Sequence, residues 1–255
     1  MRELNDASSR LPVAWPATIA LFLLGLITMP WGLIVWGLAV PVCWWLFLWD
    51  KARRSAVVFY DVNDQAASWY DALVTTATDL RASQRLWRLS ESGQVQTAYQ
   101  HKINAGASHI VTRQDLTVQL GGPRWLVTNV AIPALELKSL GIYFLPDRIL
   151  VRDGKKFSDV SYQYLSAHFN TTRFIESGPV PSDAQQVDRT WRYVNAKGGP
   201  DKRFKDNRVI PVMLYGETQL RSSTGLRWDI QASSVQRLHA FTDAILAGKA
   251  LDRSV

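Results

Sequence analysis

One cysteine stands in the 255 residues, Cys43, and it lies inside an apolar run. A disulfide framework or a thiolate zinc site within one chain is thereby excluded, which fits a reducing compartment. Histidine is sparse as well. His101, His109, His168 and His239 are scattered, with no HExxH and no closely spaced pair, so zinc hydrolysis has no ligand set to read. His239 reads as a surface or core-edge residue of the last helix. No Gly-x-Ser-x-Gly elbow occurs, which leaves serine catalysis without its turn. Charge is missing altogether between residues 12 and 49.

That uncharged stretch, PVAWPATIALFLLGLITMPWGLIVWGLAVPVCWWLFLW, is too long for one membrane span and right for two. About 17–19 residues on either side of Met29-Pro30-Trp31-Gly32 each approach the thickness of the hydrocarbon core. Pro30 and Gly32 break the helix where a tight connection is needed. Trp15, Trp31, Trp44, Trp45 and Trp49 lie near the expected ends, where indole rings prefer the interface. Pro41 can be accommodated as a kink. A signal peptide needs a small-residue cleavage site after one short run, and none is clear. A soluble helix shows a polar face, and neither run has one. Lys51, Arg53 and Arg54 follow directly, so the positive-inside rule places that end in the cytoplasm, and a hairpin returns the N-terminus to the same side.

The remainder reads as a soluble domain. Net charge is +7 over the chain, but five of the basic residues (Arg2, Arg10, Lys51, Arg53, Arg54) flank the apolar run. What is left is only mildly basic, which leans slightly towards anionic surfaces or nucleic acid. AVVFYDV (56–62) is a strand candidate. NDQAASWYDALVTTATDLRAS reads as a helix capped by Asn63 or Asp64, with Trp69, Leu73, Ala77 and Leu80 at helical spacing. RLWRLSES reads as extended, and 93–129 is ambiguous. ALELKSL alternates, which puts Glu136 and Lys138 on one strand face and the leucines on the other. GIYFL, RILVR and FSDVSY follow, punctuated by Pro146-Asp147 and Asp153-Gly154. HFNTTRFIES, TWRYVNA (190–196), VIPVMLYGE and LRWDIQA are further strands. SSVQRLHAFTDAILAG is a closing helix with Val235, Leu238, Phe241 and Ile245 on one stripe, Ser233 as cap and Gly248 as stop.

SLGIYFLPDRILVRDGKKFSDVSY resembles the hairpin of bacterial pleckstrin-homology-like and GRAM-type domains, in which one amphipathic helix plugs a bent sheet. A second resemblance covers most of 140–225. The block YFLPDRILVRDGKKFSDVSY, then VPSDAQQVDRTWRYVNAKGGPDKRFKDNRVIPVMLYGE, is similar to a domain of uncharacterised bacterial membrane-anchored proteins. That likeness carries no activity and lends no catalytic residue.

Two stretches offer chemistry. NAKGGPDKRFKDNR (195–208) sets Lys197, Lys202, Arg203, Lys205 and Arg208 beside Asp201 and Asp206. It is neither a P-loop nor a GxGxxG fingerprint. It reads either as a flexible cationic loop that meets phosphate, with Phe204 inserting or stacking, or as a charged hairpin turn. Glu136-Leu137-Lys138, with Asp115 upstream, is similar to the Asp…Glu-x-Lys arrangement of metal-dependent nucleases, where carboxylates hold Mg²⁺ and the lysine positions water. The same residues suit any solvent-facing strand.

The expected architecture is α+β. A cytoplasmic tail (1–11) precedes a transmembrane helical hairpin (12–49), then a basic stop, strand and juxtamembrane helix (50–92), then a β-rich cytoplasmic domain with a C-terminal helix (93–255). The expected sheet is mainly antiparallel, with an amphipathic helix at each end. The expected role is a binding or scaffold module in the bacterial inner membrane, both termini cytoplasmic, requiring no cofactor. Its partners would be the bilayer, a protein or second copy of the chain, and anionic lipid, with nucleic acid less favoured. Alternatives are a membrane-tethered metal-dependent hydrolase and a structural subunit of a membrane complex.

Overall fold

A computed structural model describes residues 2–29, 31–61, 64–94, 109–195 and 197–251. Pro30, Asn63, His101 and most of the ambiguous stretch before residue 109 lie outside the described residues. The architecture is α+β: an apolar helix pair at the N-terminus, then a domain whose sheets are mostly antiparallel.

A short helix α1 (Arg2–Ser9) comes first, then α2 (Ala14–Ile27) and α3 (Gly32–Arg53). Pro12 and Pro16 set where α2 begins, because a proline in the first turn gives up an N–H that has no intrahelical partner there. This makes α2 14 residues long, shorter than expected. α3 runs on through the basic stop for 22 residues. Asp50 holds that last turn by pairing with Arg53 at 3.0 Å and Arg54 at 3.8 Å, and the cations complement the helix dipole. The helices pack antiparallel. Trp15 meets Phe47 edge-on at 5.7 Å near one end, and Phe22 stacks on Trp36 at 5.4 Å near the turn. Ile19, Leu38, Val40 and Trp44 are exposed. By length and composition two stretches, Leu4–Ile27 and Gly32–Arg53, could cross a membrane, with mean hydropathy 1.7 and 1.9.

Beyond α3 come β1 (Ala56–Val58), α4 (Asp64–Arg81), β2 (Leu86–Gln94), β3 (His109–Asp115), β4 (Thr117–Leu120) and β5 (Leu126–Thr128). Then follow β6 (Pro133–Glu136), β7 (Leu140–Phe144), β8 (Ile149–Asp153), β9 (Lys156–Val160), a 3-10 turn and β10 (Leu165–Ile175). β11 (Gln185–Trp191), β12 (Val209–Ser222), β13 (Arg227–Ala232) and α5 (Val235–Leu251) are the last elements among the described residues. The strands divide into a six-stranded sheet ordered β10-β12-β13-β2-β3, with β11 also on β12, and a five-stranded sheet ordered β4-β6-β7-β8-β9. A separate parallel pair joins β1 to β5.

The main core lies where α4 and α5 meet both sheets. Leu73, Leu80, Leu135, Ile142, Phe144, Leu220, Leu238, Phe241 and Ile245 are buried in it. The Trp69 indole donates to the Ala244 carbonyl at 2.8 Å, joining the two helices. The five-stranded sheet is buried on both faces: Ile142 and Phe144 enter the main core, while Ala134, Tyr143 and Phe157 enter a second cluster closed by Leu4 of α1.

Several local expectations change for this reason. ALELKSL does not alternate between core and solvent, because Ala134 and Leu135 are both buried. Leu137 and Leu140 exchange backbone hydrogen bonds at 2.9 and 3.1 Å, so Lys138 sits in a tight turn and not on a strand face. Ser233 does not cap α5; its hydroxyl and backbone are bound to Arg85. Gly248 does not stop α5. The helix continues to Leu251, and Gly248 admits the Trp69 ring into the space a Cβ would fill. β1 is shorter than expected, because the chain leaves it to form the Tyr60–Asn129 bonds. The strand expected over 190–196 is displaced: β11 starts five residues earlier and ends at Trp191, where the chain enters the 192–208 loop.

The tail expected at 1–11 is helical and docked. Asn5 Oδ1 accepts from Phe157 N at 2.7 Å, and Asn5 Nδ2 donates to Phe157 O at 2.9 Å. One carboxamide thus satisfies the backbone of edge strand β9 as a neighbouring strand would. Ser8 Oγ donates to Lys155 O at 2.6 Å. At the base of the hairpin the Arg10 guanidinium donates to the Arg53 carbonyl, and Arg53 returns a bond to Leu11 O at 3.0 Å. The two ends of the hairpin therefore lie together. A short Gly/Ser linker replacing residues 11–53 keeps α1 in place, whereas a chain starting at Ser55 loses it. The linked protein should exceed the truncated one in stability by about 2–4 kcal/mol, from Leu4 burial and the Asn5 and Ser8 bonds. Differential scanning calorimetry should separate the two by roughly 5–10 °C, with Asn5→Ala in the linked protein closing part of the gap. Equal melts would mean that α1 contributes nothing to the domain.

Candidate functional site

The 195–208 stretch folds on its own polar residues. Asn195 Oδ1 accepts from Lys197 N at 2.9 Å and Gly199 N at 3.0 Å, forming a turn closed by Gly198, whose φ of 80° suits glycine. Asn207 clamps the return: its Oδ1 accepts from Tyr193 N and its Nδ2 donates to Tyr193 O, both at 2.9 Å. Asp201 is 5% exposed and accepts from Arg203 N, Nε and Nη2 at 3.1, 3.0 and 2.9 Å. That pairing raises the Arg203 guanidinium above its ordinary range. Phe204 stacks on Tyr193 at 4.0 Å with 16° between planes, and Arg192 pairs with Asp206 at 3.1 Å.

The loop is therefore a built turn. Phe204 is engaged with Tyr193 and Arg203 with Asp201, while Lys197, Lys202, Lys205 and Arg208 stand exposed around them. The arrangement can offer several cations to an anionic surface without first paying to order the backbone.

Asp115 is exposed at the end of β3, two residues before Thr117, whose register partner across β4 and β6 is Glu136, and Lys138 is in the turn after Glu136. Glu136 accepts from the Tyr143 hydroxyl and lies 3.7 Å from Arg152. Burial, then the bond to Glu136, raises the Tyr143 phenol above its usual range, so it stays a donor. Glu136 thus has two protein partners, both on Oε1. Among the described residues no group of three or more His, Cys, Asp or Glu is placed to hold a metal. His239 lies beside Phe169 and 3.5 Å from Asp243, at the edge of the core.

Sequence reasoning did not reach a cluster on the outer face of the six-stranded sheet. Arg113 lies 3.4 Å from the Phe174 ring centre and 4.0 Å from that of Trp87, and pairs with Glu176 at 2.7 Å. Tyr215 donates to the same carboxylate at 3.0 Å. The five residues come from β2, β3, β10, β12 and the turn after β10. Only cross-strand register brings them together, so no local spacing announces them. The cluster is filled by its own arginine and acts as a fastener between strands. A groove of about 580 Å³ lies between the end of α4 and β4, lined by Leu80, Gln84, Leu86, Leu116 and Val118.

Comparisons of the chain with family models, with curated proteins and with solved structures give no match.

The loop's order should depend on Asp201. Asp201→Ala releases three bonds from Arg203 and should open the turn to trypsin at Lys202, Arg203 and Lys205, at a cost of about 1 kcal/mol or less in global stability. Lys202→Ala and Lys205→Ala should leave the melting temperature unchanged, since exposed lysines contribute little. Cleavage of the parent loop as fast as that of the Asp201→Ala variant would mean that the turn is not held as described.

Proposed function

We propose that the protein is a membrane-anchored cytoplasmic binding module. The apolar hairpin holds the α+β domain at the bilayer, and the 195–208 turn presents cations to anionic groups there. The observation that carries this reading is the docking of α1 on β9. A chain that enters and leaves an apolar hairpin at one place, with its amino-terminal helix packed on the following domain, keeps both on one side of a bilayer. The outward apolar side chains of α2 and α3 suit lipid, and Lys51, Arg53 and Arg54 at the end of α3 favour the cytoplasmic side. In this reading the bacterial inner membrane is the location. The pleckstrin-homology-like likeness rests on the β7–β9 hairpins.

The turn supports the binding half of the proposal. Lys202, Lys205 and Arg208 are exposed, and the bonds of Asn195, Asp201 and Asn207 order the turn that carries them. Clustered cations on a rigid loop gain from the negative surface potential of a leaflet.

Both halves are testable. Reporter fusions at either terminus should signal from the cytoplasm, and a C-terminal fusion signalling from outside would overturn the topology. The linker-joined soluble protein described above should bind vesicles containing phosphatidylglycerol, since neither spans nor Lys51 and Arg53 remain to bind for it. Replacing Lys202, Lys205 and Arg208 by alanine should weaken that binding by about 1 kcal/mol per charge, an effect that fades as salt rises. Arg203 stays, because it completes Asp201. Unchanged binding in the triple variant would leave the stretch as a charged turn.

A further inference from the structure

Immediately beyond α3 the chain forms a small ribbon with one apolar face turned outward. Val57 of β1 stands in register with Val127 of β5, and the two are 57% and 45% exposed. Phe59, just past the end of β1, is 74% exposed, and burial still alternates through 56–60 with 57 and 59 as the exposed positions. The opposite face is occupied: Ala56 is buried in the second core cluster, with Leu126 and Trp125 packed against it. The ribbon cannot turn over to hide its valines without giving up that packing and the bond from Ala56 N to Trp125 O, 2.7 Å long. Its outward face is therefore fixed in the folded chain.

Its position says what covers it. β1 starts three residues after α3 ends, so Val57 lies within about 14 Å of Arg53 along the chain and Phe59 within about 21 Å. Lys51 and Arg124 are exposed beside the ribbon in sequence, one at the end of α3 and one just before Trp125. An aromatic and two β-branched residues with cations alongside have the composition of a surface that settles at the boundary of headgroups and acyl chains.

We propose that the β1–β5 ribbon is a membrane-contact ledge. Val57, Phe59 and Val127 enter the interfacial layer of the same bilayer that holds the hairpin, and Lys51 and Arg124 lie at phosphate level. This rests on the anchoring reading above and adds to it an orientation. The domain does not swing on its hairpin; it is seated on the bilayer at a second point.

The test uses the full chain in liposomes, with Cys43→Ser and single cysteines introduced at Phe59, at Val127, at Leu38 in α3, and at the exposed Ser223 in the β12–β13 turn. Each is labelled with an environment-sensitive fluorophore and challenged with aqueous iodide or with lipids brominated near the headgroup. Labels at 59 and 127 should shift to the blue, lose most of their iodide quenching relative to 223, and be quenched by brominated lipid. Replacing Val57 by Asp should return the label at 59 towards the behaviour of 223. If the label at 38 is shielded while that at 59 is as open to iodide as 223, the ledge is overturned and the anchor stands. If 38 is open to iodide, the anchor and the ledge both fall. Shielding at 59 without quenching by brominated lipid would mean that a second copy of the chain or another protein covers the ribbon, which also overturns the proposal.

Discussion

The carboxamide of Asn5, laid across the open edge of β9, is the contact on which the arrangement of the amino-terminal quarter depends. A strand edge presents N–H and C=O groups that must find partners or remain in water. One side chain that both accepts and donates can complete such an edge at a single residue, here Phe157. Once Asn5 is seated, Leu4 is carried into the second core cluster and Ser8 reaches the Lys155 carbonyl. The chain then has only Arg10 to Val13 in which to reach α2, and Arg10 closes onto Arg53. The hairpin therefore begins and ends at the same corner of the domain. Its register against the domain follows from that closure more than from any packing of α2 or α3 on the sheets.

The same economy runs through the core. The five-stranded sheet is too small to bury both of its faces by itself. It takes α4, α5 and the larger sheet on one side and α1 with Trp125 on the other. Tyr70 donates to the carbonyls of Ala131 and Phe144 at 2.8 and 3.0 Å, so the helix is hydrogen-bonded to the sheet as well as packed on it. Each apolar face of this sheet is completed by an element distant in sequence.

This explains which parts were legible beforehand. Periodicities were: Trp69, Leu73, Ala77 and Leu80 on one stripe of α4, the β7–β9 hairpins and the stripe of α5 all stand where spacing puts them, because a local repeat reports which face is buried. Contacts set by long-range register were not. Gly248 reads as a stop until the Trp69 ring is seen to occupy its missing Cβ, and Ser233 reads as a cap until Arg85 claims it. ALELKSL alternates in sequence, but a sheet buried on both faces makes Ala134 as internal as Leu135. The polar tail hid a docking helix, since Leu4, Asn5 and Ser8 acquire meaning only opposite β9. At the candidate site the cations and their pairing with Asp201 and Asp206 were visible at once, while the frame of backbone clamps made by Asn195 and Asn207 was not. Asparagine and aspartate in a loop signal turns of many kinds, and which backbone groups they bind is settled by geometry.

That frame bears on how a charged loop can bind at all. A disordered run of lysines loses conformational freedom when it meets an anionic surface, and part of the electrostatic gain goes into ordering it. Here Asn207 fastens both backbone groups of Tyr193, Phe204 is stacked on the Tyr193 ring, and Arg203 is spent on Asp201. The ordering is done by the fold, and the remaining cations project from a fixed base. The arrangement also separates two kinds of arginine and lysine within one stretch. Arg203 is held in a fork-shaped pair with a buried carboxylate, a geometry that lysine cannot reproduce. Lys197, Lys202, Lys205 and Arg208 need only their charge, so substitution among them should alter surface potential and leave the turn intact.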